Sequence, residues 1–584
     1  MSDEDKRTCW WREAIVYQIW PKSFYSGRGT PTGDIAGIIA KLDYLKSLGI
    51  NTIWLSPHYA SPMIDEGYDI SDYEDINPIF GTVQDTEHLI KECHSRGLRI
   101  IFDLVINHTS DQHKWFLESR SSKENPKRDW YIWRPARYVD GKRMPPTNWE
   151  SAFSQSTWEW DEKTEEYYLH MFAVEQPDLN WRNTDCRSAI LKSSMEFWLE
   201  RGLDGFRVDT CSLYAKPEQL VDAPITKPGY LQTAWDLIVD GERIHEYLGM
   251  MGKLLAKYDA MTVGELSRLP NKEVLKYISF ARNELSMVFA PDVALVGMDG
   301  QEGHFKTAPW NVAQIATNTE KLQTLFDDND GWTTSFLENH DLGRSVSRFA
   351  SHAEKHHADA CKMLSLYTTL LSGTPFYYQG QEIGMTNVPL EWDLSEYLDI
   401  ATVNFIKALR ESGKSDKDIE KFKPNINLLA RDNARTPVQW TDGPNAGFTK
   451  EGVKPWMRVN DNFKTINVAS QIDDPNSILN FYRKAIELRK KYPALFVYGK
   501  YSNALDYSDP KSDEKVFAFV KGLRKDASAD GQKRAIVLLN FSDQEQGVKI
   551  TGLESGKVAL SSHDEVKPDA LLQPYEGRVL LFSN

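Results

Sequence analysis

The chain has 584 residues, too many for one small core, so two or three domains are expected. A formal net charge of −15 at pH 7 argues against a nucleic-acid partner, whose phosphate backbone needs a basic footprint. Aromatic residues reach 12%, with 18 Trp; most of these suit a core, and the excess also suits sugar rings, whose apolar faces pack on aromatic side chains.

The chain opens on "MSDEDKRTCWWREAIVYQIW", which is charged and has no basic segment leading into an apolar one. No run approaches the ~18 apolar residues of a membrane span, so no membrane partner is expected. Cys9, Cys93, Cys186, Cys211 and Cys361 are scattered, odd in number and without metal spacing. They are read as reduced thiols in a cytoplasmic protein.

Short apolar runs then alternate with amphipathic stretches. The strand candidates are "AIVYQIW" (14–20), "NTIWLSP" (51–57), "RIIFDLVINH" (99–108), "GFRVDT" (205–210), "MTVGEL" (261–266), a weaker "ELSMVFAP" (284–291), "TTSFLENHD" (333–341) and "GTPFYYQGQEIG" (373–384). Between them, Leu191, Met195 and Trp198, and again Ile244, Leu248, Met251 and Leu255, repeat at helical spacing. Strands apolar on both faces and separated by helices predict a covered parallel sheet. Eight of them predict an α/β fold, a (β/α)8 TIM barrel.

The cadence breaks twice. From 109 to 183 the chain is polar and aromatic without helical period, which predicts an inserted subdomain after the third strand. From about 501 alternating runs such as "KVFAFVKG" and "RAIVLLNF" predict a C-terminal antiparallel β-sandwich domain. The expected organisation is barrel (1–108), insertion (109–183), barrel (184–500) and β domain (501–584).

In such barrels the reactive groups sit at the C-terminal strand ends. Here those ends carry Asn107 and His108, Asp209, Glu265, and His340 with Asp341. Each has a structural alternative: a satisfied core histidine, an Arg207–Asp209 ion pair, a helix cap at Glu265, loop polarity in "ENHD". Four such coincidences at one rim favour chemistry. Two facing carboxylates suit glycosidic bond cleavage, one attacking and one protonating the leaving oxygen. Arg207, on the same strand face as Asp209, is expected to hold that carboxyl ionised. Glu265 is expected to stay protonated through burial and nearby negative charge.

"DLVINH", "GFRVD", "VGEL" and "ENHD", in this order, resemble the signature regions of glycoside hydrolase family 13. "QPDLNW" (176–181), "YYQGQEIG" (377–384) and "RDNARTPVQW" (431–440) are similar to its oligo-1,6-glucosidase and maltase branch, in particular to fungal maltases and isomaltases. The resemblance runs from about residue 11 to the end. It implies that Asp209 is the nucleophile, Glu265 the general acid/base and Asp341 the third carboxylate supporting the transition state. It implies that His108, Arg207 and His340 bind glucose in the first subsite, that Phe172 also binds substrate, and that Asp65, Tyr68 and Arg431 form the closed end. An Asp65–Arg431 pair there leaves room for one glucose, hence an exo-acting α-glucosidase that releases α-glucose with retention and transglycosylates at high sugar concentration. Thr210, after the nucleophile, matches the position where maltases carry threonine and isomaltases valine, which favours α-1,4 linkages.

The chain also departs from that pattern. Relatives often hold calcium in an early loop reading roughly D-x-N-x-D-G-x-G-D. Here the loop is "SFYSGRGTPTGD" (23–34), with Ser26, Arg28 and Thr30 where oxygen ligands belong and only Asp34 retained. No metal or other cofactor is expected, with Arg28 standing in for the ion's charge. On the acceptor side, Leu342 and Gly343 replace the usual Gln-Pro, and Ala152, Ser267 and Ala401 replace larger residues. The linkage preference, α-1,4 against α-1,6, therefore stays open. The partner is a small α-glucoside, and the protein a monomer or weak homo-oligomer. Two other readings exist. A sucrose or trehalose isomerase needs a closed acceptor pocket, which those small residues oppose. A non-catalytic transporter subunit lacks the carboxylates kept here.

Overall fold

The computed structural model describes all residues except 1–8, 154, 268, 300–304, 326–328, 513, 525–526, 528, 565 and 584, so the first eight residues of the charged start lie outside the described residues. Eight parallel strands form the centre: β1 (Val16–Ile19), β2 (Thr52–Leu55), β3 (Arg99–Leu104), β4 (Gly205–Val208), β5 (Met261–Glu265), β6 (Met287–Phe289), β7 (Thr334–Ser335) and β8 (Thr374–Tyr378). Each lies inside a run read as a strand above. Their order is β6-β5-β4-β3-β2-β1-β8-β7. The two ends of that order meet where Thr334 Oγ1 and Thr333 Oγ1 donate to the Val288 carbonyl at 3.2 and 3.5 Å, which closes the barrel.

Nearly every strand residue is buried, because helices cover the outside and side chains fill the inside. Close approach of β4 to β5 needs Gly205: its φ is +149°, and an added Cβ would stand 2.0 Å from the Met261 carbonyl oxygen. The helix Ile244–Leu255 buries Ile244, Leu248, Met251 and Leu255, as its spacing predicts. The helical stretch from Thr184 to Leu199 buries Met195 and Trp198, with Leu191 half-buried. Its middle, Leu191–Glu196, is a π-helical turn, a feature that periodicity does not reveal.

The excursion after β3 carries a three-stranded antiparallel sheet, in the order Trp133–Arg134, Glu166–Leu169, Trp158–Asp161. Its core of Trp149, Trp158, Leu169 and Met171 is completed by Leu213, Ala223, Ala234 and Ile238, from the segment after β4. A further excursion follows β8, with its own core including Trp392, Tyr397, Ile406, Ile426 and Met457. The sequence reading left that segment within the barrel.

At the C-terminus β9 (Lys500–Asn503), β10 (Val516–Gly522), β11 (Arg534–Asn540), β12 (Lys557–Ser561) and β13 (Gly577–Phe582) form one antiparallel sheet, in the order β9-β10-β11-β13-β12. Alternate residues face opposite sides. Phe517, Phe519, Val537 and Leu539 join the barrel's core, whereas Val516, Ala518, Ile536 and Leu538 pack beneath Leu553 and Leu572. The second layer of the sandwich is thus loop and short turns among the described residues.

Candidate active site

Charge is concentrated at the C-terminal ends of β3, β4 and β5 around one buried guanidinium. Arg207 projects from β4, 2% exposed. Its Nη1 donates to Asp103 Oδ1 at 2.8 Å and to Asp209 Oδ1 at 2.5 Å, and its Nη2 donates to Glu265 Oε2 at 2.8 Å. Three carboxylates on adjacent strands thus share one cation. Asp209 sits just beyond β4 and Glu265 ends β5, so parallel pairing brings them together. Asp209 is 5% exposed, whereas the Glu265 side chain is 39% exposed.

The backbone between them is unusual. Thr210 has φ +41°, a left-handed conformation uncommon for a β-branched residue. That turn aims its N–H at Glu265 Oε2, 3.1 Å away, and its hydroxyl at Asp209 Oδ2, 3.3 Å away. The next residue, Cys211, donates both its N–H and its thiol to the Glu265 carbonyl, each at 3.1 Å.

A second cluster stands opposite, beyond β7. Asp341 Oδ2 lies 3.0 Å from His340 Nε2, and its Oδ1 accepts from Arg431 Nη1 at 3.2 Å and Arg435 Nη2 at 3.1 Å. His340 stacks between Trp20 and Tyr68, with ring centroids 5.4 and 5.3 Å away. Its Nε2 is also 2.6 Å from the Tyr68 hydroxyl, which donates to Asp103 Oδ2 at 3.2 Å. Tyr68 therefore links the two clusters. The expected Asp65–Arg431 pair is present at 3.3 Å. Arg431 is held more closely by Asp399, with Nε to Oδ1 at 3.0 Å and Nη2 to Oδ2 at 2.8 Å. On the remaining wall, His108 Nε2 is 3.1 Å from the Gln176 amide, which donates to Asp65 Oδ2 at 3.2 Å. Phe172 packs on the His108 ring at 5.1 Å.

These surroundings set the ionisation of each group. Burial, with Asp103 and Asp341 adding to it, pushes Asp209 up to about 6 despite Arg207. The expectation that Arg207 would hold Asp209 down is therefore corrected: the guanidinium does lower it, but its charge is divided among three carboxylates. Asp103 is likewise pushed up to about 6 by burial. Glu265 is raised by burial, with Asp209 and Asp341 adding and Arg207 opposing. Burial opposes ionisation of Asp341, yet His340, Arg431 and Arg435 together hold it well below the usual range. Burial also lowers His340 and His108. With His340 neutral, its part is an N–H···O bond, and the two arginines bring the positive charge.

All eleven residues singled out in the sequence, from Asp65 to Arg431, converge here. Four partners were missed. Asp103 had a signal, a lone carboxylate inside the apolar run "IIFDLV". Gln176 and Arg435 stand inside quoted motifs, and only contact gives them a role. Asp399 had no pattern at all.

Among the residues expected on the acceptor side, Ser267 Oγ accepts from Ser212 Oγ at 3.1 Å. Leu342 is buried, and an added Cβ on Gly343 would stand 2.4 Å from the Leu428 carbonyl oxygen, so the excursion after β8 leaves room only for glycine. Ala152 and Ala401 are half-buried.

The early loop does not fit a calcium ion. Asp34, its one carboxylate, already accepts from Gly27 N (3.0 Å), Arg28 N (3.0 Å), Arg28 Nε (3.3 Å) and Gly37 N (2.7 Å). The Arg28 guanidinium also reaches the carbonyls of Pro78 and Ile79. Four donors occupy the oxygens a hard cation would need, and a guanidinium stands beside them.

The alpha-amylase family, described as "Alpha amylase, catalytic domain", matches residues 18–499. An alpha-glucosidase of Candida albicans is 47% identical over 578 residues, 98% of each chain. An oligo-1,6-glucosidase of Parageobacillus thermoglucosidasius is 42% identical over 579 residues, again 98% of each. Among solved structures, an isomaltulose synthase mutant of Erwinia rhapontici NX5 in complex with sucrose superposes with a TM-score of 0.90 at 37% identity, covering 98% of this chain and 99% of that one. The fold, the site and these likenesses agree, and the chain belongs to the alpha-amylase family, glycoside hydrolase family 13.

Proposed function

We propose that this protein is a retaining, exo-acting α-glucosidase that removes α-glucose from the non-reducing end of maltose and short malto- and isomalto-oligosaccharides. The observation that carries this reading is the shared guanidinium: Arg207 holds Asp209 and Glu265 on its two terminal nitrogens. Retaining enzymes hold such a pair ~5–5.5 Å apart and inverting ones ~6.5–9.5 Å; contact of both side chains with one guanidinium supports the closer arrangement. Asp209 attacks the anomeric carbon as its C–O bond breaks, and Glu265 gives its proton to the departing oxygen. Glu265 then takes a proton from water, which attacks the glucosyl ester and releases Asp209. A second sugar in place of water gives transglycosylation. Asp341, held ionised by Arg431 and Arg435, supports the positive charge developing on the ring.

Exo action is read from the closed end: Arg431 bridges Asp65 and Asp341, which supports a pocket that ends at the first glucose. The donor-filled early loop supports activity without a metal ion. The five cysteines are buried, and no described helix is long and apolar enough to cross a membrane. We assign a cytoplasmic location and a monomer or weak homo-oligomer to the same proposal.

The solved relatives include isomaltulose synthases, so sucrose isomerisation is the second reading. The small side chains of Ala152, Ser267 and Ala401 support an acceptor side that releases the leaving sugar instead. The test is product analysis on maltose, isomaltose, nigerose, sucrose and maltotriose, with the first anomer followed by NMR. Free α-glucose from maltose supports the proposal; β-glucose rejects retention, and rearranged disaccharides without free glucose reject hydrolysis.

A further inference from the structure

Asp399 lies just before the helix Ile400–Glu411, in the excursion after β8. It is 2% exposed and touches none of the residues that face the sugar except through two arginines. Its Oδ1 accepts from Arg431 Nε at 3.0 Å and from the Ala401 N–H at 3.0 Å. Its Oδ2 accepts from Arg431 Nη2 at 2.8 Å and from Arg435 Nη1 at 2.6 Å. The carboxylate is fully engaged, and its main chain is pinned too: Asp432 Oδ1 accepts the Leu398 and Asp399 N–H groups at 2.6 and 2.9 Å. Asp432 Oδ2 is held in turn by the Thr402 hydroxyl at 3.0 Å.

The distances rank the holds on Arg431. Its bonds to Asp399, 3.0 and 2.8 Å, are shorter than those to Asp341 and Asp65, 3.2 and 3.3 Å. Arg435 is also closer to Asp399, at 2.6 Å, than to Asp341, at 3.1 Å. An arginine on a flexible stem would otherwise be free to collapse onto the nearest site carboxylate. We infer that Asp399 is a positioning residue: it seats Arg431 and Arg435 so that they meet Asp341 and Asp65 without capturing either. The excursion after β8 is then the element that shapes the closed end of the pocket. This rests on the α-glucosidase reading above.

Asp399→Asn keeps the size and removes the charge that both arginines share. Measured on the full chain, it should raise both the inhibition constant of glucose and KM for maltose by about tenfold to a hundredfold, because a small misplacement of site groups is costly. The turnover number should fall less, and Asp399→Glu should recover part of the loss. A folded Asp399→Asn protein whose glucose inhibition constant is unchanged, even with a lowered melting temperature, would overturn the inference. Should that variant not fold, Thr402→Val loosens the Asp432 seat without stranding a charge, and there the glucose constant should rise several-fold; no change overturns it. Wild type that neither cleaves glucosides nor binds glucose defeats the α-glucosidase reading instead.

Discussion

The Thr210 main-chain N–H donates to Glu265 Oε2 at 3.1 Å, so the residue that follows one site carboxylate holds the other. Its hydroxyl turns back to Asp209 Oδ2 at 3.3 Å rather than lying only along the acceptor wall. Thr210→Val keeps the N–H and removes the hydroxyl. A hydrogen bond to a charged acceptor contributes about 1.5–3 kcal/mol, so kcat/KM for maltose should fall by about tenfold or more. Isomaltose should lose less if the hydroxyl also reads the linkage. Steady-state kinetics on both sugars check this. Equal losses would mean that the hydroxyl supports Asp209 alone and that Leu342, Ser267 and Ala401 choose the linkage.

On the proposed mechanism, Asp209→Ala and Glu265→Gln both reduce maltose turnover by several orders of magnitude, about 5 kcal/mol or more of transition-state stabilisation. They should differ on an aryl glucoside whose leaving group needs no proton. Glu265→Gln should still release the aryl group rapidly in the first turnover, since only proton donation is lost. Asp209→Ala should not, because no bond to carbon can form. Rapid-mixing measurements of aryl release distinguish them, and an equal first-turnover loss in both would reject the division of roles.

Much of this was legible in the sequence, and the reasons are local. Asp209, Glu265 and Asp341 stand at the ends of apolar strands, where barrel geometry aims side chains at one rim. Asp103 was passed over because a carboxylate inside an apolar run reads as a structural oddity until its partner, Arg207 on the next strand, is seen. Asp399 meets Arg431 from 32 positions away and Arg435 meets Asp341 from 94, and no periodicity encodes such contacts. The excursion after β8 was missed because its helices carry the same amphipathic pattern as barrel helices. The left-handed turn at Thr210 has no sequence mark, since threonine is among the residues least expected there.

Activity should depend on pH through Asp209. Nucleophilic attack needs its ionised form, so kcat/KM should fall on the acid side with a midpoint near pH 6, where burial and Asp103 have pushed it. Asp103→Asn removes a like charge and should move that limb to lower pH. Stability should respond with opposite sign. Because the folded carboxyl binds its proton more tightly than the ordinary carboxyl near 3.8, the fold gains protons between about pH 4 and 6, and stability falls as pH rises through that window. Asp209→Asn should therefore melt a few degrees higher than wild type at pH 8, with the advantage gone by pH 4. Arg207 keeps two other carboxylates, so the variant strands no charge. A variant less stable than wild type at pH 8 would contradict this.

The last expectation concerns the early loop. Asp34 is fully buried and accepts four N–H donors, two of them from Arg28. The Arg28 side chain is 42% exposed, so its ion pair with Asp34 alone contributes little, about 0–1 kcal/mol. Its guanidinium also satisfies the carbonyls of Pro78 and Ile79, which tie this loop to the one following the site residues Asp65 and Tyr68. Arg28→Ala should lower the melting temperature by a degree or two and leave kcat for maltose nearly unchanged. Wild type should melt at the same temperature with excess chelator as with millimolar calcium, because ligand binding raises stability only where a site exists in the folded state. In Arg28→Ala the three main-chain donors still occupy Asp34, so calcium should not restore what the guanidinium supplied. Thermal scans of both proteins in chelator and in calcium decide the matter. A calcium-dependent rise in wild type would show that the loop binds the ion despite Arg28.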